Sequence, residues 1–305
     1  EQLRALENRI NIDVSIINKT PYSIDTPMDL KNYLNSNKNS YMLKLKVAYQ
    51  GKPGAYSHMA CIKAFPNCLT IPCETFEEVF QKTNLKETDI SLIPIENSQA
   101  GRVADIHNLL PKSKLLIVGE YFHRIKHNLL GISGSSLENI KSAESHLHAL
   151  AQCRYFLNKN KIKAIVSADT AGAAEEVSKS KDPTRAAVAS ELAAKIYDLK
   201  VLKSNIEDAK HNTTRFLIMK DRLEEERQAD LDYITSFIFR VRNISSALFK
   251  ALGGFSSNKV NMLKIESYML NGSFNATQFY ADIEGHPEDD NVKLAFEELG
   301  FFSKE

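Results

Sequence analysis

From Leu45 onward, short apolar runs alternate with stretches of helical period. "LKVAYQG" (45–51) reads as a strand entering a glycine turn, and "GAYSHMACIKAF" (54–65) as a helix. "TFEEVFQKT" (75–83) opens on Thr75 with Glu78 three residues later, the signature of a capping box. "ISLIPIEN" (90–97) is an apolar strand ending in polar residues, and "GRVADIHNLL" (101–110) is helical. Strands are predicted over 115–122, 128–133 and 142–145, then a helix over 146–158. Strand 163–167, helix 169–180, strand 186–189 and helix 190–197 follow, and a last strand runs from Thr214 through Phe216–Met219. This order predicts an α/β fold whose sheets are covered on both faces by helices.

The pattern then breaks. "KDRLEEERQADLD" (220–232) has almost no apolar content and reads as a linker between domains, leaving an α/β region over 44–220. The segments beyond it, starting at residue 232, read β-α-β-β-α without a clear last strand, the order of a small ferredoxin-like module. Residues 1–43 fit neither part and are read as an extension: "EQLRALENRI" is a short amphipathic helix and "NYLNSNKNS" is linker-like.

Composition narrows the function. With 305 residues, 43% hydrophobic and 25% charged, the chain has the balance of a globular protein of about two domains. A net charge of +1 gives no general attraction to nucleic acid or membranes, so an anionic ligand needs a local group such as Arg215. No apolar run is long enough to span a membrane. Cys61, Cys68, Cys73 and Cys153 form no metal-spaced set and read as reduced thiols of a cytoplasmic protein. His146 and His148 stand two apart, a spacing that does not converge on a helix, so no metal site is expected.

Polar residues instead cluster at strand ends, where open α/β sheets hold ligands. "QGKPGAYS" (50–57) turns from strand to helix and leaves backbone N–H groups free for an anion. "PIENSQAG" (94–101) places Glu96, Asn97 and Ser98 at the end of an apolar strand. "SAESHLHALAQC" (142–153) sets Ser145 at a strand end or helix cap, with Gln152 about two turns along the same face. "SADTAGAAEEV" (167–177) starts a helix after Asp169, and "HNTTRF" (211–216) puts Thr214 and the planar fork of Arg215 at a strand mouth.

Taken in order, "AYQGKPGAYS", "PIENSQAG", "ESHLHALAQC", "DTAGAA" and "NTTRF", followed by a module containing "KIES", resemble the prephenate dehydratase family over residues 44–285. The resemblance implies a catalytic region of two α/β subdomains, like a type 2 periplasmic binding protein, with the chain crossing near 122–128 and 203–212. A C-terminal ACT domain of ferredoxin-like βαββαβ order would follow. It implies conversion of prephenate to phenylpyruvate in L-phenylalanine biosynthesis, without cofactor or metal. On the family's pattern Thr214 donates to the leaving hydroxyl, with Asn97, Ser145, Gln152 and Glu96 in the catalytic set. Arg215, Thr170, Ser57 and Ser98 are the substrate-binding candidates. Ser246, Ala247, Leu248, Glu266 and Ser267 would hold phenylalanine between the modules of a homodimer or homotetramer.

Two departures bear on that effector site. Ser245-Ser246 replaces the family's Pro-Gly before Ala247-Leu248, and Tyr268-Met269 replaces Arg-Pro after Glu266-Ser267. Arogenate dehydratase, acting on the amino counterpart of prephenate, and a non-catalytic two-lobed amino-acid sensor are the alternative functions.

Overall fold

The structure is a computed structural model that describes residues 44–222, 227, 231–242, 244–269 and 276–304. The extension 1–43 and most of the charged linker lie outside the described residues. Residues 45–305 form one compact unit.

The first lobe is built on β1 (Lys46–Gln50), β2 (Leu69–Cys73), β3 (Ile90–Asn97), β4 (Gly101–Arg102), β5 (Leu116–Arg124) and β11 (Thr213–Lys220). They form a sheet ordered β2-β1-β3-β11-β5, with β4 paired to β3. Helix α1 (Tyr56–Ala64) covers one face, while α2 (Phe76–Asn84) and α3 (Ala104–Leu109) cover the other. The apolar run of β3 suits a strand buried on both faces: Ile90, Leu92, Ile93 and Ile95 are all in the core. Thr75 caps α2 by accepting from the Glu78 N–H at 3.2 Å, and Glu78 reaches back to the Glu74 N–H at 2.8 Å.

The second lobe holds β6 (Asn128–Gly131), β7 (Ser142–Ser145), β8 (Lys163–Val166), β9 (Arg185–Ala189) and β10 (Lys200–Lys203), ordered β10-β6-β9-β7-β8. Its helices are α4 (Leu147–Gln152), α5 (Arg154–Lys159), α6 (Thr170–Ser180) and α7 (Glu191–Ile196). The chain passes between lobes twice, from β5 to β6 and from β10 back to β11. The helix predicted over 146–158 is in fact two, α4 and α5, broken at Cys153, whose φ of −117° and ψ of 16° leave the helical region. The pattern does not show β4, which takes the first residues of the helix expected over 101–110, nor β2 and β10. Strands β2 and β10 are short sheet edges of mixed polarity, and Pro72 is tolerated in β2 because an edge strand can spare an N–H.

The C-terminal module consists of β12 (Ile234–Arg240), α8 (Ala247–Ser257), β13 (Met262–Met269), β14 (Ala276–Glu284) and α9 (Asp290–Phe302). Its antiparallel sheet is ordered β12-β14-β13. Among the described residues, the sixth element expected of the order is represented by one bridge, Val241 to Ser303. Phe239, Phe255, Phe279 and Ile283 form the module's own core with α8 and α9. Tyr268 and Tyr280 point the other way and join the core of the first lobe with Ile93, Ile106 and Leu217. The module is therefore seated on the first lobe through the bare face of its sheet.

Candidate active site

Strands β3 and β11 run antiparallel, pairing Thr214 with Asn97 and Arg215 with Glu96. Side chains alternate across a strand, so each of these adjacent residue pairs is split between the two faces of the sheet. Thr214 and Asn97 share one face with His123, which lies opposite Thr214 on β5. Arg215 and Glu96 share the other. The register shifts just past this point, where Phe216 pairs with Pro94 and Ile95 becomes an extra residue. A bulge there is what allows a proline, which has no N–H, inside a central strand.

A chain of amide and hydroxyl groups runs from this strand end across to the second lobe. Asn97 Oδ1 accepts from the backbone N–H groups of Gln99 at 2.9 Å and Ala100 at 2.8 Å. That fixes the orientation of the Asn97 amide, so its Nδ2 donates to Asn212 Oδ1 at 2.8 Å and to Thr214 Oγ1 at 2.9 Å. Asn212 Nδ2 in turn donates to Gln152 Oε1 at 2.7 Å. The same oxygen lies 2.8 Å from His127 Nε2, and His127 Nδ1 lies 2.7 Å from the Tyr56 hydroxyl. Burial holds His127 below the usual imidazole range, so it is neutral and carries one proton. Since Gln152 Oε1 can only accept, that proton is on Nε2, and Nδ1 faces the Tyr56 hydroxyl, whose one proton is shared with Lys126 O at 3.0 Å. One backbone turn, at Gln99–Ala100, sets the polarity of the whole chain. At its other end Thr214 Oγ1 is an acceptor from Asn97, which leaves its own O–H free to donate.

A cleft of about 330 Å³ opens beside the middle of this chain, lined by Gln152, Asn212, Gln99, His148, Glu207 and Asp208 among others. Thr214 is not in its lining and reaches it through Asn97 and Asn212. Glu207 is neutralised in place, accepting from the His127 N–H at 3.0 Å and from Arg124 at 3.3 Å. On the far side, the turn before α1 is docked against the second lobe. Ser190 Oγ donates to Gly54 O at 2.6 Å, Tyr197 donates to Pro53 O at 2.9 Å, and Lys52 pairs with Glu175 at 2.8 Å. Gly54 has φ +92°, and a Cβ on it would lie 2.8 Å from Ala193 Cα, so only glycine allows this approach. Ala55 provides no side-chain cap to α1, so the first-turn N–H groups of Tyr56, Ser57 and His58 are open to an anion.

The residues expected from the sequence divide accordingly. Asn97, Gln152 and Thr214 are joined in the chain just described. Ser57 and Thr170 sit in the first turns of α1 and α6, both partly exposed, and Asp169 caps α6 through the Gly172 N–H at 2.6 Å as expected. Ser98 is a strap: its hydroxyl donates to His211 O at 2.9 Å and accepts from the Thr213 N–H at 3.0 Å.

Three further candidates are engaged in contacts outside that chain. Ser145 is fully buried, ends β7 and commits its proton to Val188 O at 2.5 Å, while His146 rather than Ser145 caps α4. Arg215 faces away from Thr214, its Nε held by Glu120 at 2.7 Å and its Nη1 by Asp282 at 2.7 Å and Glu96 at 3.2 Å. Glu96 shares that far face and also pairs with Lys264. Burial opposes its ionisation, but Lys264 and Arg215 outweigh it and keep the carboxyl below the usual range.

The effector candidates also separate. Ser246, Ala247 and Leu248 lie where β12 turns into α8, whereas Glu266 and Ser267 lie on β13, at the opposite edge of the sheet. Glu266 lies 3.5 Å from Arg102, which also donates to Ser267 O at 3.0 Å.

Sequence reasoning missed Asn212, His127 and Tyr56. Asn212 stands two residues before Thr214, the spacing that puts it on the same face of an extended strand. His127 was detectable as a polar residue inside the apolar "IKHNLL".

Chemically, the arrangement can orient a hydroxyl donor and seat an anion. It offers no activated hydroxyl nucleophile at another hydroxyl–imidazole pair of this lobe, Thr70 and His58, 3.0 Å apart. His58 Nδ1 accepts from the Gly54 N–H at 3.1 Å, so Nε2 bears the proton and donates to Thr70 rather than drawing its proton away. Among the described residues no group of His, Cys, Asp and Glu could hold a metal ion, and no helix is long and apolar enough to cross a membrane.

Comparison with known proteins agrees with this geometry. The family model for prephenate dehydratase matches residues 47–224, which span both lobes and every member of the chain from Tyr56 to Thr214. A bifunctional N-acyl-homoserine lactone acylase/prephenate dehydratase of Komagataeibacter europaeus is 46% identical, over 85% of this chain and 92% of its own. Arogenate dehydratase/prephenate dehydratase 1 of Arabidopsis thaliana, a chloroplastic protein, is 40% identical, over 85% of this chain and 70% of its own. Among solved structures, the prephenate dehydratase of Arthrobacter aurescens in complex with L-Phe superposes with a TM-score of 0.77 at 26% identity, over 85% of this chain and 86% of that one. Two lobes, a polar chain crossing between them and a match that covers both make the conclusion plain: this chain belongs to the prephenate dehydratase family.

Proposed function

We propose that the protein converts prephenate to phenylpyruvate, with Thr214 as the donor to the departing hydroxyl. The C–C bond to the ring carboxylate breaks and releases carbon dioxide. Its electron pair enters the ring, and the ring C–O bond breaks to expel hydroxide, which leaves as water once protonated. Aromatisation drives the process, so the protein has to orient the substrate and stabilise the leaving oxygen. The observation that carries the reading is the Asn97 Nδ2 to Thr214 Oγ1 bond of 2.9 Å, because it leaves the threonine proton free. A free threonine hydroxyl is a very weak acid, so its role is hydrogen-bond stabilisation rather than complete proton transfer. The open N–H groups at the start of α1, with Ser57, supply the seat for a substrate carboxylate that Arg215 does not.

The ring chemistry is identical for arogenate, and relatives named for both activities support testing both. Phenylpyruvate formation from prephenate, followed by absorbance and compared with phenylalanine formation from arogenate, tests the reading. Turnover of neither substrate would reject it.

The C-terminal module is read as an ACT domain that binds phenylalanine and inhibits the enzyme. Its candidate residues lie on opposite edges of one sheet, which supports a site completed by a second chain in a homodimer or homotetramer. Calorimetry with millimolar phenylalanine tests this, and an absence of heat with activity unchanged would reject it. Four unbridged cysteines support a reducing compartment such as the cytoplasm.

A further inference from the structure

The carboxylates and bases on the face opposite Thr214 form a junction between the catalytic sheet and the C-terminal module. Arg215 is only 11% exposed and contacts carboxylates from three different strands: Glu96 of β3, Glu120 of β5 and Asp282 of β14. Asp282 is 2% exposed and held in turn by the Ser236 hydroxyl of β12 at 2.6 Å, which accepts from the Tyr280 hydroxyl at 3.2 Å. Lys264 of β13 pairs with Glu96 and lies 3.5 Å from Glu266. Every strand of the module's sheet therefore has a polar side chain in this junction.

We propose that Arg215 is a positioning residue through which the docked C-terminal module sets the placement of Thr214 and Asn97; the inference rests on the role given to Thr214 above. The physical link is the backbone. Thr214 and Arg215 are consecutive, as are Asn97 and Glu96, so whatever fixes Arg215 and Glu96 on one face fixes Thr214 and Asn97 on the other. The bulge beside Pro94 separates this strand end from the regular ladder behind it. Thr213–Arg215 therefore depends on side-chain ties more than a mid-sheet segment would, and Asp282 is the deepest of them.

The docking itself has an unfavourable component. His107 lies between Tyr268 and Tyr280, with ring centroids 5.3 and 5.5 Å away, and both of its nitrogens are buried without a partner, as is the Tyr268 hydroxyl. These unpaired groups make docking less favourable than the buried apolar contact alone would, which narrows the energy gap between docked and released arrangements. Tyr268 is also one of the positions where the chain departs from the family's sequence, which makes this seam a property of this chain. An effector that shifts the module between those arrangements would act on Thr214 through Arg215, without touching the cleft.

The test uses the full chain carrying Asp282→Asn, which keeps shape and removes the charge facing Arg215, with Asp282→Glu as the conservative rescue. Prephenate turnover, thermal melting and hydrogen exchange in peptides covering 94–100 and 211–217 are measured together. The expected result is a fall in kcat of about tenfold, within the range of ordinary site coupling, with KM nearly unchanged and faster exchange in both peptides. Asp282→Glu should recover most of the kcat. If Asp282→Asn fails to fold, Ser236→Ala loosens the same carboxylate with less disruption and should show a smaller effect of the same kind. A lower melting temperature with unchanged kcat and exchange would make the junction purely structural and overturn the proposal. A rise in KM with constant kcat would overturn it in another way, by returning Arg215 to substrate binding. Should the unaltered protein turn over neither prephenate nor arogenate, the functional reading fails separately, and the exchange measurement alone decides whether the module is coupled to this strand end.

Discussion

Replacing Thr214 by valine removes one hydroxyl and leaves the shape of the side chain. Asn97 Nδ2 then loses its acceptor at 2.9 Å but keeps Asn212 Oδ1 at 2.8 Å and Thr213 O at 3.3 Å. No buried group is orphaned, so the stability cost should stay near that of one net hydrogen bond, about 1 kcal/mol. The effect on turnover should be much larger. The lost donor is aimed at charge that develops only as hydroxide leaves, and such a donor is worth roughly 10²–10³ in kcat, or about 3–4 kcal/mol. The KM for prephenate should change little, because the ground state has a neutral hydroxyl to bind. Phenylpyruvate formation at saturating prephenate measures kcat, and a thermal melt confirms that the variant is folded. Thr214→Ser, which keeps the hydroxyl, should retain more than a tenth of the wild-type kcat. A valine variant that is folded and keeps most of its kcat would refute the argument.

Three further outcomes are expected. Asn97→Asp keeps the acceptor for the Gln99 and Ala100 N–H groups but turns a donor into an acceptor, so the Thr214 proton should be drawn to the new carboxylate and kcat should fall about 10²-fold in a folded protein; a steady-state assay and a melt check this. Gly54→Ala places a Cβ 2.8 Å from Ala193 Cα at a backbone φ of +92°, so the turn before α1 should lift off the second lobe, with a loss of about 1–3 kcal/mol by chemical denaturation and a rise in KM. Burial, reinforced by nearby Lys63, lowers His123 from 6.5 to about 4. The unfolded chain then binds the proton first as pH falls, so stability is complete above about pH 6.5 and declines toward pH 4. His123→Gln should flatten that limb by about 1.4 kcal/mol per pH unit, read from urea midpoints across the window.

The one-dimensional pattern was enough for the α/β class, the capping of α2 and the β-α-β-β-α order of the last segments, because each is local: period, caps and turns act over a few residues. It also singled out Thr214, Asn97 and Gln152, which the fold joins in one hydrogen-bonded chain, since polar residues at the ends of buried strands are costly unless paired. What it could not decide was which neighbours act together. "NTTRF" and "PIEN" look like single clusters on paper, yet the pleat sends Thr214 and Asn97 to one face and Arg215 and Glu96 to the other. Arg215 looked like a substrate clamp because its partners, Glu120 and Asp282, lie 95 and 67 residues away in the chain. Ser145 looked like a donor because nothing nearby in sequence reveals that Val188 takes its proton. Asn212 and His127 gained meaning only when β11 and the crossing to β6 brought them to Gln152. Local forces chose the strands and the polar residues at their ends; long-range strand pairing and the seating of the module chose which of those residues face each other, and that choice separates the Thr214 face from the Arg215 face.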